Sequence, residues 1–196
     1  DHRDLHSFPT RRSSDLPSEK IKMIISDVDG VWTDGSIFLN GSGEEFKKFS
    51  VLDSAGIAVA RMAGLKIVII SGRYSKATEA RANELKIEDV YNGTLNKLIP
   101  YNELKEKYNL KDEEIAFVGD DMIDIPVMER VGAPIAVSNA YPLVKEIAVY
   151  ITETAGGEGA FREAVDWVLK GQGRYEAVLT KLRAHVESLN NTESGQ

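Results

Sequence analysis

The chain has 196 residues, 42% of them hydrophobic and 28% charged, with a formal net charge of −7 and no cysteine. That length suits one domain with a real core. The acidic balance argues against a nucleic-acid partner and no apolar run is long enough for a membrane partner, while the missing cysteines remove disulfides, thiol nucleophiles and thiolate zinc sites and fit a reducing cytoplasm.

Residues 1–16, DHRDLHSFPTRRSSDL, show neither a hydrophobic stretch nor a useful periodicity. The run DLHSFPTRRSSDL is the in-frame translation of a widely used sequencing-library adapter. We therefore expect residues 1–16 to be a non-native, disordered tail and exclude them from fold reasoning. The tail holds His2 and His6, so His185 is the only histidine left, which leaves a histidine triad or His-rich metal site without material.

In chain order, Ile21–Ile25 reads as a buried strand, and Ser36–Leu39 and Glu44–Val51 as hairpin arms around Asn40-Gly41-Ser42-Gly43. A helix over Ala55–Ala63 stops at Gly64, and Leu65–Ile70 is an apolar, β-branched strand. A helix over Ser75–Leu85, a short strand at Val90-Tyr91 and a helix over Lys97–Tyr108 closed by Asn109 follow. Ile115–Val118 is the next strand, then a helix over Met122–Arg130 ending near Gly132. Ile135–Val137 and Val149–Ile151 are short strands, Gly156-Gly157-Glu158-Gly159 precedes a helix over Ala160–Leu169, and Tyr175–Leu189 is a last, polar helix. Alternating helices and near-continuous apolar strands predict an α/β fold with a doubly wound parallel sheet and a β-hairpin flap. One domain over residues 17–174 is expected, with residues 175–196 a C-terminal helix and tail.

Two acidic groups follow predicted strands: Asp27 and Asp29 in SDVDGVWTDG, and Asp120 and Asp121 in VGDDMID. Carboxylates at the carboxyl ends of parallel strands converge on the crevice where such sheets hold ligands. Like charges that close force protonation unless a cation intervenes, and hard oxygen donors suit Mg²⁺. Asp27 reads as a nucleophile toward phosphorus and Asp29 as its acid/base partner. Asp27, Asp29, Asp120 and Asp121 are the candidate metal set, with Asp120 the direct ligand and Asp121 and Asp124 open to an outer role. Ser71 and the N–H of Gly72 end the LKIVII strand, either as an ordinary turn or as a phosphate cradle. Lys97, opening a helix, is either a solvated surface residue or a phosphate partner.

The order D-x-D, Ser, Lys, G-D-D resembles the four motifs of the haloacid dehalogenase superfamily. Over Ile21–Arg174 the runs DVDGVWTDG, FKKFSVLDSAGI, IISGR, NGTLNKL, VGDDMIDIPVME and AGGEGAFRE are most similar to the 3-deoxy-D-manno-octulosonate 8-phosphate phosphatase family. The resemblance implies Asp27 as nucleophile, Asp29 as acid/base and backbone-carbonyl ligand, Ser71 and Lys97 on phosphate, and Asp120 on Mg²⁺. It also implies a Rossmann-like, haloacid dehalogenase-type sheet with no inserted cap domain, a sugar-acid phosphate substrate, and a homotetramer. The Gly156–Glu163 stretch would then reach an adjacent active site and bring Arg162 to its substrate, although the same glycines also suit a plain loop. Leu52-Asp53-Ser54 stands where the octulosonate enzymes carry Arg-Asp-Gly, which leans toward nine-carbon sugar-acid 9-phosphate phosphatases. Arg73 leans the other way. Asp53, Arg73 and Arg162 are candidate substrate contacts, with a structural salt bridge the competing role for Arg73. A phospho-receiver domain is disfavoured by the D-x-D pattern, and a non-catalytic module like those appended to sugar-acid cytidylyltransferases by the intact catalytic positions.

Overall fold

The computed structural model describes residues 17–193, with side chains to residue 188; the adapter reading of residues 1–16 falls outside them. Three apolar strands form the centre: β1 (Met23–Ser26), β4 (Lys66–Ser71) and β6 (Ile115–Gly119). β1 pairs in parallel with both others, Ile24 opposite Ile67 on one side and Ala116 on the other. Both faces are covered, so these strands show no polar alternation. With β5 (Asp89–Asn92), β7 (Ala133–Ala136) and β8 (Tyr150–Ile151) they make one six-stranded parallel sheet ordered β5-β4-β1-β6-β7-β8.

The chain leaves β1 toward one edge through α1 (Val51–Met62), β4, α2 (Lys76–Glu84) and β5. It returns through α3 (Leu98–Tyr108) to β6 and runs outward through α4 (Ile125–Met128), β7, α5 (Pro142–Ile147) and β8. Right-handed crossovers in opposite directions put helices on both faces. Accordingly α1 packs against α6 (Ala160–Gly171) and α7 (Tyr175–Glu193), while α4 packs against α3 and α5. The direction reverses between β1 and β6, and that reversal opens a crevice at their carboxyl ends. α7 lies against the domain through buried Val178 rather than projecting from it.

The elements differ from expectation where local chemistry overrode pattern. The hairpin arms shrink to β2 (Phe38–Leu39) and β3 (Glu45–Phe46). The Ser50 hydroxyl accepts the Leu52 N–H and starts α1 at Val51, earlier than its apolar periodicity suggested. The expected helix over Met122–Arg130 is instead a 3₁₀ turn (Met122–Asp124) capped by Asp121, then one α-turn with a proline in its first positions. The helix α5, six residues long, was not foreseen. Only the hairpin and α1 lie between Asp27 and Ser71, so no cap domain is inserted there.

Candidate active site

The site begins where β1 ends. The Asp27 N–H donates to Val118 O at 3.0 Å, carrying the β1–β6 ladder one residue past the strand and fixing Asp27 beside β6. The turn then closes on itself, with the N–H groups of Val31, Trp32 and Thr33 all donating to Val28 O. Trp32 anchors it from below, its ring 5.0 Å from that of Phe161 and its Nε1 donating to Ser26 Oγ at 2.8 Å. Gly30, at φ +85°, is obligatory: a Cβ there would lie 1.9 Å from Asp120 Oδ2. The two halves of the predicted aspartate cluster therefore touch.

Lys97 is fully buried between two carboxylates, its Nζ 3.0 Å from Asp27 Oδ1 and 2.6 Å from Asp124 Oδ1. Burial lowers its proton affinity, but Asp27 and Asp124 outweigh that and raise it above the usual lysine range. Asp124 is the pivot of the second cluster. Its other oxygen accepts the N–H groups of Asp120 at 3.0 Å and Asp121 at 3.2 Å. The 3₁₀ turn makes this reach possible, since it turns Asp124 back over Gly119.

Oxygens of Asp27, Asp120 and Asp124 lie within 4.8 Å of one another. Burial, then repulsion from Asp124, pushes Asp27 up to about 7 against the pull of Lys97. Burial, then repulsion from Asp27, Asp124 and Asp121, pushes Asp120 up to about 8. Of the expected metal set, Asp121 lies at the exposed rim with its carboxylate accepting the Met122 N–H at 2.7 Å, while Asp124 lies within the buried cluster. The Asp29 carboxylate is also engaged elsewhere, with Lys47 on Oδ1 and the Arg73 Nε 3.5 Å from Oδ2.

These groups border a cleft of about 640 Å³. Asp27, Asp29, Asp120 and Asp121 line its floor and rim, Ser71, Gly72 and Arg73 one wall, and Ile37, Tyr74, Leu95 and Ile123 an apolar edge. Ser71 is buried at the end of β4 with its Oγ donating to Arg73 O at 3.1 Å. Gly72 faces Ile123, whose Cδ1 a Cβ would meet at 2.7 Å.

Two predicted substrate contacts lie elsewhere in their own chain. Asp53 is buried at the start of α1, where its Oδ1 accepts the Arg162 N–H at 3.1 Å and caps α6; burial pushes it up to about 6. The Arg162 side chain pairs with Asp166 one helical turn on, at 2.8 Å. The glycine run before α6 is likewise occupied. The Gly157 N–H donates to Val31 O, the Gly156 N–H to Asn139 Oδ1, and a Cβ on Gly156 would lie 1.7 Å from Gly30 O. Within its own chain this stretch braces the Asp27–Gly30 turn. Asn139, Glu45 and Lys47 escaped the sequence reading. For the latter two the signal was present, since residues two apart in a strand share a face.

Residues 83–162 match the family model of haloacid dehalogenase-like hydrolases. The 3-deoxy-D-manno-octulosonate 8-phosphate phosphatase KdsC of Escherichia coli K12 is 45% identical over 159 residues, which cover 81% of this chain and 85% of that one. The crystal structure of the Yersinia pestis phosphatase of the same name is 42% identical with a TM-score of 0.79, covering 82% of this chain and 86% of that one. The Moraxella catarrhalis phosphatase, solved with magnesium, phosphate and a KDO molecule, is 33% identical with a TM-score of 0.81, covering 85% and 95%. A buried lysine between two carboxylates at the switch point of a parallel sheet, with these relatives along most of its length, makes the chain a member of the 3-deoxy-D-manno-octulosonate 8-phosphate phosphatase family of haloacid dehalogenase-like hydrolases.

Proposed function

We propose that the chain is a Mg²⁺-dependent phosphatase that removes the terminal phosphate of 3-deoxy-D-manno-octulosonate 8-phosphate. The observation that carries it is the buried Asp27–Lys97–Asp124 array beside Asp120, whose Oδ1 is buried without a hydrogen-bond partner. An orphaned carboxylate oxygen in an acidic cluster fits a hard divalent cation. Asp27 and Asp120 would hold it with the Asp29 backbone carbonyl, and Asp124 would orient Asp120. The bound cation supplies charge neutralisation for the transferring phosphoryl group.

In this reading Asp27 attacks phosphorus in line, forming an Asp27–phosphorus bond as the ester oxygen leaves. Asp29 gives that oxygen its proton and later takes one from the water that hydrolyses the aspartyl-phosphate. Lys97 offsets the charge on Asp27 and, with the Ser71 hydroxyl and the Gly72 N–H, receives phosphate oxygens. Arg73 borders the cleft with its Nη2 buried and unpartnered, a free donor toward the sugar-acid carboxylate. The eight-carbon substrate is favoured over a nine-carbon one because Arg73, the residue that leaned toward the shorter acid, lines the cleft.

The reading includes a cytoplasmic homotetramer. Exposed Ile37, Phe38, Leu39 and Phe46 on the hairpin support assembly, and the cysteine-free sequence supports the compartment. A phosphate-release screen of eight- and nine-carbon sugar-acid phosphates and simple sugar phosphates, with Mg²⁺ and with chelator, tests it. The eight-carbon acid phosphate should give the highest kcat/KM, lost in chelator and in Asp27→Asn. Preference for another class, or an active Asp27→Asn, refutes the reading.

A further inference from the structure

The hairpin does more than stand beside the cleft. Lys47, just past β3, has a fully buried side chain although its carrier is among the most exposed parts of the fold. Its Nζ contacts Asp29 Oδ1 and lies 3.6 Å from Glu45 Oε1. Glu45 in turn pairs through Oε2 with Arg73 and accepts the Ser75 hydroxyl at 2.6 Å on Oε1. Arg73 closes the circuit at 3.5 Å from Asp29 Oδ2. Four alternating charges thus form a ring that joins the hairpin, the Asp27–Gly30 turn and the end of β4.

As a stability device this ring is a poor choice. Desolvating an ammonium is costly, and buried ion pairs are often replaced by apolar groups at no loss. What the ring accomplishes is geometric. Each oxygen of Asp29 meets one cation, so the carboxylate has a single orientation, and the closer contact is the one the hairpin brings.

We propose that Lys47 is a positioning residue that the hairpin delivers to Asp29, holding Oδ1 so that Oδ2 faces the ester oxygen of a phosphomonoester in the cleft. This rests on Asp29 acting as acid/base. The longer Arg73 contact is the one that yields when substrate enters. In the first half-reaction the Oδ2 proton passes to the ester oxygen as its bond to phosphorus breaks and the bond to Asp27 forms. The hairpin is then part of the catalytic apparatus, and its docking completes the site.

The discriminating property is leaving-group dependence. An alkyl phosphate needs its departing alkoxide protonated, whereas p-nitrophenyl phosphate releases a stable phenolate unaided. Positioned general acids contribute roughly 10²–10⁴-fold. In Lys47→Met, kcat/KM for glycerol phosphate should fall about 100-fold while kcat/KM for p-nitrophenyl phosphate falls by less than about tenfold, since kcat/KM reports the steps through ester cleavage and excludes the hydrolysis common to both substrates. Lys47→Arg, which keeps a donor, should recover most of the alkyl-phosphate rate. Equal losses on both substrates or no loss at all would overturn the assignment. So would a Lys47→Arg variant no better than Lys47→Met. Both probes are generic phosphomonoesters, so the result is independent of which sugar acid is the natural substrate. A wrong substrate class would show in the screen of sugar-acid phosphates and leave this comparison intact.

Discussion

At the scale of single residues, the acidic cluster stores a conflict that only a cation resolves. Asp27 at about 7 and Asp120 at about 8 both sit well above their ordinary value of 3.8. Without metal, the folded state therefore binds more protons than the unfolded chain between about pH 4 and pH 8. Stability from these groups is highest at the acidic end and falls as pH rises through that window. Asp53, pushed up to about 6, adds to the fall below neutrality. Metal binding requires both cluster carboxylates ionised. Mg²⁺ affinity should thus drop from pH 8 to pH 6, and binding at pH 7 should release protons, measurable by calorimetry in buffers of different ionisation enthalpy. The melting temperature of the metal-free protein should decline between pH 5 and pH 8, with Mg²⁺ removing most of the decline. A pH-independent affinity with no proton release would contradict the cluster as drawn.

The positions of Asp27 and Asp120 were legible in the sequence because each follows an apolar run that reads as a buried strand, and strand ends of a parallel sheet converge. The burial of Asp124 against Lys97, with Asp121 left at the rim, was not. It depends on whether the chain after Gly119 coils as 3₁₀ or α, a choice made by Asp121 capping and Pro126 rather than by hydrophobic spacing. Lys97 looked like a surface lysine until chain order suggested otherwise. Its burial comes from Asp27 and Asp124, which are remote from it in sequence.

At the scale of elements, the loop between β8 and α6 governs the catalytic turn. Glu163 fastens that loop by accepting the N–H groups of Glu153 at 2.8 Å and Thr154 at 2.9 Å and the Tyr150 hydroxyl at 2.7 Å. The loop then presses Gly156 onto Gly30. A methyl group at 156 would meet backbone rather than a yielding side chain, so Gly156→Ala should cost about 1–3 kcal/mol of stability. It should also shift Asp29, and a misplacement of about 1 Å can cost on the order of 100-fold in rate. Urea unfolding and kcat measure the two effects, and an unaltered kcat would show that the turn does not depend on this brace. A glycine-rich run in sequence announces close approach without naming the partner. Here the partner within the chain is the Asp27–Gly30 turn.

At the scale of the whole molecule, a doubly wound parallel sheet was implied by alternating elements, but its strand order and the surface the hairpin presents were not. Phe38 stands opposite Phe46 in the hairpin ladder, and both are exposed, as are Leu39, Val51 and Leu52. An apolar patch of this kind calls for a covering partner, and a homotetramer is the proposed one. The wild-type chain should sediment as a tetramer, and Phe38→Asp combined with Leu39→Asp should yield smaller species with sharply reduced activity. A wild-type monomer, or a fully active dissociated variant, would refute that assembly.

The ladder of the hairpin has only two residue pairs, Phe38 with Phe46 and Leu39 with Glu45, whereas Asp27 and Asp120 leave strands paired on both sides. Local opening free energies follow such differences in pairing and burial. The half of the site that carries Asp27 should thus persist until the whole domain unravels, while the half that orients Asp29 should fray sooner. On warming, activity should be lost while the sheet is still folded, because the proposed acid/base loses its support before the proposed nucleophile does, and the working lifetime should be set by the least cohesive ribbon.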